Sequence, residues 1–266
     1  MGANMKIACI GTGSMGKAII RAVSNVIPPK EISVSNRTPE KAKEFAEEIG
    51  CNFSKTNSEA IKDSKYIFIA VKPAFLQNVF TEIAQKIPEN AVVISMAAGV
   101  TIQKLESMAN AKFARIMPNV PCQIKQGMTA LSFGKNISQE ESDEIKKILE
   151  STGKVEIVPE NLMDCVTAVS GSGPAFVFMF IEAMADAAVK CGMPRNQAYI
   201  YASQTVKGSA ELVLETQKHP AVLKDSVTSP AGTTIEGISA LEESGFRSAV
   251  IKAVTKAFEK SKSMNS

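Results

Sequence analysis

The sequence is poor in the residues that build several common kinds of active site. Among its 266 residues there is one histidine, His219, and there is no tryptophan. A single histidine excludes multi-histidine metal sites, and it excludes a Ser-His-Asp or Cys-His triad unless His219 itself takes part. We therefore expect no metal ion, and we interpret His219 as a structural or interface residue rather than a catalyst.

Cysteines are few and do not have the spacing of a metal-binding or redox motif. The five cysteines are far apart in the sequence, they form no Cys-x-x-Cys pair, and their number is odd. This usage is typical of reduced, mostly buried thiols in a cytoplasmic protein. We therefore predict a cytoplasmic location.

Long apolar runs and an excess of charge are missing as well. The longest unbroken apolar run, residues 175–181, is much shorter than a membrane span of roughly 20 residues. The first apolar segment stops at Gly11, which argues against a signal peptide. The formal net charge is only +3 and there is no basic run. We expect neither a membrane nor a nucleic acid as a partner.

What the sequence does contain, up to about residue 160, is a regular alternation of strand-like and helix-like segments. Strands are predicted near 5–10, 31–35, 51–53, 65–71, 91–95, 112–117, 127–133 and 154–158. This alternation predicts βαβ units and a mostly parallel sheet. After Pro159 the strand-like runs give way to long helical segments. We therefore predict two domains, residues 1–160 and an all-helical 161–266.

A glycine-rich motif follows the first predicted strand and opens the first predicted helix. Residues 11–16 match G-x-G-x-x-G, with Gly11 for a tight turn, Gly13 for approach to a pyrophosphate and Gly16 for close helix packing. The helix N-terminus adds free N–H groups and positive potential. The residues predicted to bind a dinucleotide here are Ile10, Gly11, Thr12, Gly13, Ser14, Met15 and Gly16.

The acidic residue that usually holds the ribose of NAD is missing. The second predicted strand ends in Ser35, Asn36 and Arg37 instead. A carboxylate would repel a 2′-phosphate, whereas a hydroxyl, an amide and a guanidinium bind one. We predict that these three residues bind NADPH, with NADH as the weaker alternative.

Other strand ends are expected at the same edge of the sheet, where open α/β sheets bind their ligands. Small residues there would let a flat cofactor lie against the backbone. Each segment taken alone is also compatible with an ordinary turn. The further residues predicted to contact the cofactor are Asn57, Ala70, Val71, Lys72, Pro73, Met96, Ala97, Ala98, Gly99 and Asn119.

Motifs spread over the whole chain resemble those of the pyrroline-5-carboxylate reductase family. They are IGTGSMG at 10–16, AVKP at 70–73, AAGV at 97–100, MPNVP at 117–121 and VSGSGPAF at 169–176. The most specific is DSVTSPAGTT at 225–234, in which many members have two glycines where this chain has Ala231-Gly232. The resemblance implies a Rossmann-like mostly parallel domain, an all-helical dimerisation domain and an interlocked homodimer, which in some members assembles into decamers.

The resemblance also implies a reaction and a substrate site. The reaction is NADPH-dependent reduction of Δ1-pyrroline-5-carboxylate to L-proline, the last step of proline biosynthesis. By resemblance, Ser229, Gly232, Thr233 and Thr234 hold the substrate carboxylate, and Thr234 is the candidate catalytic residue that assists protonation of the imine nitrogen. A loop that precedes a helix offers N–H groups to a carboxylate in any case, although a plain N-cap by Thr233 or Thr234 fits the same residues.

Other functions fit parts of the sequence. A β-hydroxyacid dehydrogenase would carry a catalytic lysine four residues before an asparagine in the helix that opens the second domain, but the first lysine of that helix, Lys190, comes at its far end. A non-catalytic NADP-binding sensor would explain the glycine motif but not the 229–234 loop. A reductase of a related cyclic imine, such as pyrroline-2-carboxylate, is compatible with every motif.

The helix predicted over 174–191 has apolar residues on nearly all sides. Such a helix must be buried all round, and a domain of about 100 residues offers little room for that. We infer burial against a second subunit, with an intramolecular core as the alternative.

Overall fold

Strands and helices alternate in the structure as the sequence predicts. The computed structural model describes residues 6–264. Its strands are β1 (Ile7–Ile10), β2 (Ile32–Ser35), β3 (Asn52–Phe53), β4 (Tyr66–Ile69), β5 (Val92–Ser95), β6 (Lys112–Met117), β7 (Gly127–Phe133) and β8 (Gly153–Ile157). The helices between them are α1 (Ser14–Val23), α2 (Pro39–Ile49), α3 (Asn57–Ala60), α4 (Leu76–Ile83), α5 (Ile102–Glu106) and α6 (Gln139–Leu149).

Within the described residues these strands form one sheet in the order β3-β2-β1-β4-β5-β6-β7-β8. Neighbouring strands are parallel except for the antiparallel pair of β6 and β7. All residues of β1, β4 and β5 are buried, which explains why these strands are uninterrupted apolar runs. The strand order changes direction between β1 and β4, so a crevice opens at their carboxyl ends.

The chain divides into two compact units. The first contains the residues up to Ser172 and those from Ala257 on, and the second is Gly173–Lys256. This division lies beyond the domain boundary predicted at residue 160, because α7 (Met163–Val166) packs on the sheet through Met163. The chain also returns to the first unit at its end, where Ser261 is buried and its hydroxyl donates to the Asp164 carboxylate at 2.7 Å.

The second unit is helical, as the sequence predicts. Its helices are α8 (Gly173–Lys190), α9 (Arg195–Thr216), α10 (Pro220–Ser226), α11 (Thr233–Glu243) and the larger part of α12 (Phe246–Ser263). The sequence analysis missed α10, a seven-residue helix with proline in its first turn. His219 caps it, because its Nδ1 accepts a hydrogen bond from the Ala221 N–H at 3.2 Å. This contact gives the single histidine a structural role.

The second unit has almost no core of its own. Within residues 173–256, all of which the structure describes, the only buried residues are Ala185, Ala198 and Ala202. In α8, Phe178 is 58% exposed and Met179 is 69% exposed. The alternative of an intramolecular core is therefore wrong, because most apolar side chains of this unit lie at the surface of the single chain.

One apolar helix bears on the expectation, drawn from the short apolar runs, that the protein has no membrane partner. By length and composition alone, the continuous helix Glu160–Lys190 is apolar enough to cross a membrane. The uninterrupted run at 175–181 understates this, because Gly173-Pro174 before it and the single charged residue Glu182 after it break the run without making the helix strongly polar. The length of the longest apolar run was therefore not a sufficient test.

Candidate functional site

The glycine motif forms a tight turn between β1 and α1. Gly11 has a φ of +103°, and a Cβ there would lie 2.5 Å from the Ala70 carbonyl oxygen. A Cβ on Gly16 would lie 2.1 Å from the Gly11 carbonyl oxygen. Both positions therefore require glycine for packing. Gly13 differs, since within residues 6–264 a Cβ there would meet no atom within 4 Å apart from those of its own stretch of chain.

The first turn of α1 leaves its backbone donors available beside Gly13. Gly13 is the N-cap residue, and no side chain in the described part of the chain caps the helix. Gly13 and Ser14 are exposed, whereas Thr12 and Gly16 are buried. The N–H groups of a first turn have no partner within the helix and carry its positive potential. This arrangement suits a pyrophosphate, as the motif predicts.

The turn after β2 is tied to the glycine loop. The Asn36 side-chain amide donates to Thr12 Oγ1 at 2.6 Å, and its Oδ1 accepts from the Thr38 N–H at 3.2 Å. Ser35 is fully buried, and its hydroxyl donates to Asn57 Oδ1 at 2.9 Å. The structure therefore gives Ser35 a supporting position, because a buried hydroxyl with this partner cannot contact a phosphate directly. Asn36 joins the two loops and keeps one N–H for a ligand.

Asn57 is held from the other side by Glu82 of α4. One Glu82 oxygen accepts from the Asn57 backbone N–H at 2.8 Å, and the other accepts from its side-chain amide at 2.6 Å. The N-cap of α3 is Thr56, which forms a capping box with Glu59. Asn57 is thus fixed between β2 and α4.

A cavity of about 810 Å³ opens at the carboxyl ends of β1, β2 and β4. It includes nine of the residues predicted to bind the cofactor, namely Ile10, Gly11, Gly13, Asn36, Arg37, Asn57, Ala70, Val71 and Lys72. The sequence analysis missed its remaining lining residues, which are Pro39, Lys55, Thr56, Phe75, Asn78, Val79 and Glu82. Most of these belong to the segments that follow β3 and β4.

The guanidinium of Arg37 stacks on a ring at the wall of this cavity. Its Cζ lies 4.6 Å from the centroid of the Phe75 ring. Stacking holds the plane of the guanidinium but leaves the N–H groups at its edge free to donate. Arg37 is exposed, so these donors are accessible to an anionic group in the cavity.

The remaining residues predicted to bind the cofactor do not line this cavity. Met96, Ala97, Ala98 and Gly99 follow β5, and a second cavity of about 530 Å³ is lined in part by Pro73 and Gly99. Met15 packs against the main core. Asn119, predicted to contact the nicotinamide end, accepts from the Met128 N–H at 2.9 Å and donates to the Ser170 hydroxyl at 3.3 Å. Its amide therefore also positions the start of β7.

The 229–234 loop leads into α11 without a side-chain cap. Gly232 is the N-cap residue, and within residues 6–264 no side chain caps this helix, so the alternative of a plain cap by Thr233 or Thr234 is wrong. A Cβ on Gly232 would lie 2.3 Å from Ser229 Oγ. Ala231 has a φ of +55°, a left-handed conformation that glycine adopts without cost. The loop is thus close-packed and strained, and the first N–H groups of α11 are free.

The cysteines are all free thiols, but they are less buried than the sequence analysis expected. Cys9 and Cys122 are buried, Cys51 is half-buried, and Cys165 and Cys191 are exposed in the single chain. Burial, with a smaller effect of Cys51, raises the pKa of the Cys9 thiol to about 12. Burial likewise raises the pKa of Cys51 to about 11. These two thiols are therefore protonated and unreactive at neutral pH.

An ionic cluster lies at the opposite end of β4 from the cavity. Glu144 of α6 accepts hydrogen bonds from Lys65 and from the Tyr66 hydroxyl. Partial burial alone would raise the pKa of the Glu144 carboxyl, but the bonds from Lys65 and Tyr66 outweigh it and lower that pKa. Burial and the bond to Glu144 raise the pKa of Tyr66. This cluster joins the sheet to α6.

Comparisons with known proteins agree with this geometry. Residues 160–264 match the family model "Pyrroline-5-carboxylate reductase dimerisation", and residues 6–99 match "NADP oxidoreductase coenzyme F420-dependent". The chain is 44% identical over 264 residues to pyrroline-5-carboxylate reductase of Escherichia coli strain K12, with 98% of both chains covered. It is 40% identical over 265 residues to the enzyme of that name from Methanosarcina acetivorans, with 98% of both covered.

Two solved structures are similar over nearly the whole chain. One is pyrroline carboxylate reductase of Plasmodium falciparum with NADP bound, with a TM-score of 0.88, 32% identity and 99% of both chains covered. The other is a pyrroline-5-carboxylate reductase from Coxiella burnetii, with a TM-score of 0.91, 32% identity and 99% of both chains covered.

Proposed function

This chain belongs to the pyrroline-5-carboxylate reductase family. We propose that its glycine loop and its Asn36–Arg37 turn bind the cofactor and that its 229–234 loop binds the substrate. The reaction is the NADPH-dependent reduction of the C=N bond of Δ1-pyrroline-5-carboxylate to L-proline, the last step of proline biosynthesis. The observation that carries this function is the 44% identity to the Escherichia coli enzyme over 98% of both chains.

The large cavity beside the glycine loop fits a dinucleotide with a 2′-phosphate. Gly13 leaves room for a pyrophosphate against the backbone, and the first turn of α1 offers uncapped N–H groups. The end of β2 carries Arg37 and no carboxylate. The cofactor supplies a hydride when it is bound. We assign the residues of the glycine loop, Asn36 and Arg37 to its phosphates, and the ends of β4 and β5 to the rest of it.

The start of α11 is the proposed site for the substrate carboxylate. Its free N–H groups and the hydroxyls of Ser229, Thr233 and Thr234 are suited to an anion. Reduction adds a hydride to C5 of the ring and leaves the ring nitrogen protonated. Because an iminium already accepts a hydride readily, these residues need to bind and orient more than to act as strong acids. Thr234 is the residue assigned to hydrogen-bond the imine nitrogen.

The reaction and the role of Thr234 can be tested separately. NADPH absorbance should fall when Δ1-pyrroline-5-carboxylate is added, and no consumption would overturn the function. A higher kcat/KM for pyrroline-2-carboxylate would reassign the substrate to a related cyclic imine. Thr234→Ala should lower kcat about 10²-fold with little change in NADP+ affinity, and Thr234→Ser should restore most of it. An unchanged kcat in Thr234→Ala would reject this role.

The apolar surface of the second unit supports self-association. The dimerisation model matches residues 160–264, which include all of the exposed apolar side chains of α8. We propose that a second copy of the chain, rather than lipid, covers the helix Glu160–Lys190. Contacts outside this helix then decide whether the dimers assemble into decamers. Sedimentation without detergent tests this, since a monomer or a lipid-dependent species would contradict it. We also propose a cytoplasmic location, which the five free cysteines support.

A further inference from the structure

Three exposed cations line the cavity beside the glycine loop, namely Arg37 after β2, Lys55 after β3 and Lys72 after β4. Lys55 lines the same cavity as Asn36 and Arg37, and its side chain is exposed. Arg37 and Lys55 have no ion-pair partner among residues 6–264. Arg37 and Lys55 follow the paired strands β2 and β3, and two unpaired cations there indicate that this part of the cavity receives an anionic group.

Strand pairing explains why Lys55 lies close to the end of β2. Val34 of β2 is opposite Phe53 of β3, and the Ser54 N–H continues the ladder by donating to the Val34 carbonyl at 3.0 Å. Two residues beyond the pair Val34–Phe53, the two strands continue to Asn36 and Lys55. The end of β2 is the position at which a Rossmann-like site contacts the adenosine ribose. Lys55 therefore lies at the ribose end of the cavity rather than at the nicotinamide end.

The backbone at Lys55 is fixed, so its side chain extends from a defined point. Glu59 Oε2 accepts from the Lys55 N–H at 3.0 Å and from the Thr56 N–H at 3.3 Å as part of the capping box of α3. The backbone and not the ammonium makes these bonds, so a substitution of the side chain leaves them in place. Variants of Lys55 can therefore test how its ammonium group affects ligand binding while the fold is kept.

The acidic residue that lines the cavity does not neutralise the charge of Arg37 and Lys55. Glu82 also lines the cavity, but its carboxylate accepts from the Asn57 N–H, from the Asn57 side-chain amide and from the Ser58 N–H. These bonds hold both of its oxygens at the start of α3. Glu82 thus serves as an anchor for that turn, and the wall keeps a net positive charge toward a ligand.

We propose that Lys55 is a second cation for the 2′-phosphate of NADPH and that, together with Arg37, it sets the preference of this enzyme for NADPH over NADH. The inference rests on the proposed function, which assigns the cavity to NADPH. Arg37, whose plane is held by Phe75, supplies directed hydrogen bonds, and Lys55 supplies a mobile point charge on the neighbouring strand. Neither NAD nor NADH carries the group that these cations would bind.

Titration calorimetry with NADP+ and NAD+ measures this selectivity without turnover. Lys55→Gln should lower the affinity for NADP+ relative to NAD+ about tenfold, which is the contribution of one charge-assisted hydrogen bond at an exposed edge. Lys55→Arg should keep most of the selectivity, and Lys55→Glu should lower it further than Lys55→Gln. The matched control is Lys62→Gln, which removes the same charge from an exposed lysine outside the cavity and should leave the ratio unchanged.

The outcomes separate the inference from the proposed function. Equal losses for NADP+ and NAD+ in Lys55→Gln, or no loss for either, would overturn the role of Lys55. A wild-type protein that binds NADP+ selectively through Lys55 but does not reduce Δ1-pyrroline-5-carboxylate would overturn the proposed reaction alone. The loss in Lys55→Gln should also shrink at high salt, because an exposed charge pair is screened.

Discussion

Replacement of Ala231 by glycine should stabilise the protein, although most substitutions to glycine destabilise. Ala231 has a φ of +55°, where the Cβ of an L-residue costs about 1–2 kcal/mol. Glycine relieves this cost but adds about 0.5–1 kcal/mol of chain entropy to the unfolded state. The difference is a net gain of about 0.5–1 kcal/mol. For a chain of this length the gain corresponds to a rise in Tm of about 1–3 °C.

Thermal unfolding at one fixed protein concentration is the appropriate assay, since the stability of a self-associating protein depends on concentration. The matched control is Ala240→Gly, an exposed position inside α11 where glycine should cost about 1 kcal/mol. The two variants should therefore shift Tm in opposite directions. If Ala231→Gly lowers Tm as Ala240→Gly does, the argument that the 229–234 loop stores backbone strain is wrong.

Two further predictions concern the glycine motif and the Glu144 cluster. Gly16→Ala should lower both Tm and NADP+ affinity, because its Cβ would lie 2.1 Å from a backbone oxygen, whereas Gly13→Ala should weaken NADP+ binding at unchanged Tm; equal effects on Tm would contradict this distinction. Glu144→Gln should cost about 1–2 kcal/mol at pH 7. The folded-state pKa of Glu144 is lowered, so its contribution is present above the ordinary glutamate pKa of about 4.3 and is lost as the pH falls below it. The free energies of unfolding of the wild type and of Glu144→Gln, measured at pH 7 and at a pH below the glutamate pKa, check this, with the exposed Glu140→Gln as the control. A difference in stability that persists at the lower pH would contradict the prediction.

The periodic parts of the sequence allowed the fold to be predicted, and the exceptions have physical causes. Strands β1, β4 and β5 were predictable because they are buried on both faces and therefore apolar throughout. Helix α10 was missed because seven residues are too few for a periodic pattern, and its cap is a histidine rather than a common capping residue. The first compact unit extends to Ser172, beyond the boundary predicted at residue 160, because Met163 of α7 packs against Met117 and Ala130, and contacts between residues so far apart in the chain leave no local signal.

The candidate site was predictable where a residue acts alone and not where residues act together. The glycine spacing identified Gly11, Gly13 and Gly16, since each has its own steric requirement. The hydroxyl of Ser35 was expected at a phosphate, but it is buried and donates to Asn57 of α3, a residue 22 positions later in the chain. Phe75 was not identified, because its role depends on a guanidinium that is 38 residues earlier in the chain and meets it only in the folded sheet.

The return of the chain end to the first unit constrains how a nascent chain reaches its final structure. Domains generally fold as units during synthesis, with the N-terminal one first. All eight strands leave the ribosome before the second unit is made, but the segment that buries Ser261 beside Asp164 leaves after it. The sheet unit of a growing chain therefore lacks part of its own surface until translation has passed residue 257. The N-terminal unit is thus completed only after the whole second unit has been synthesised.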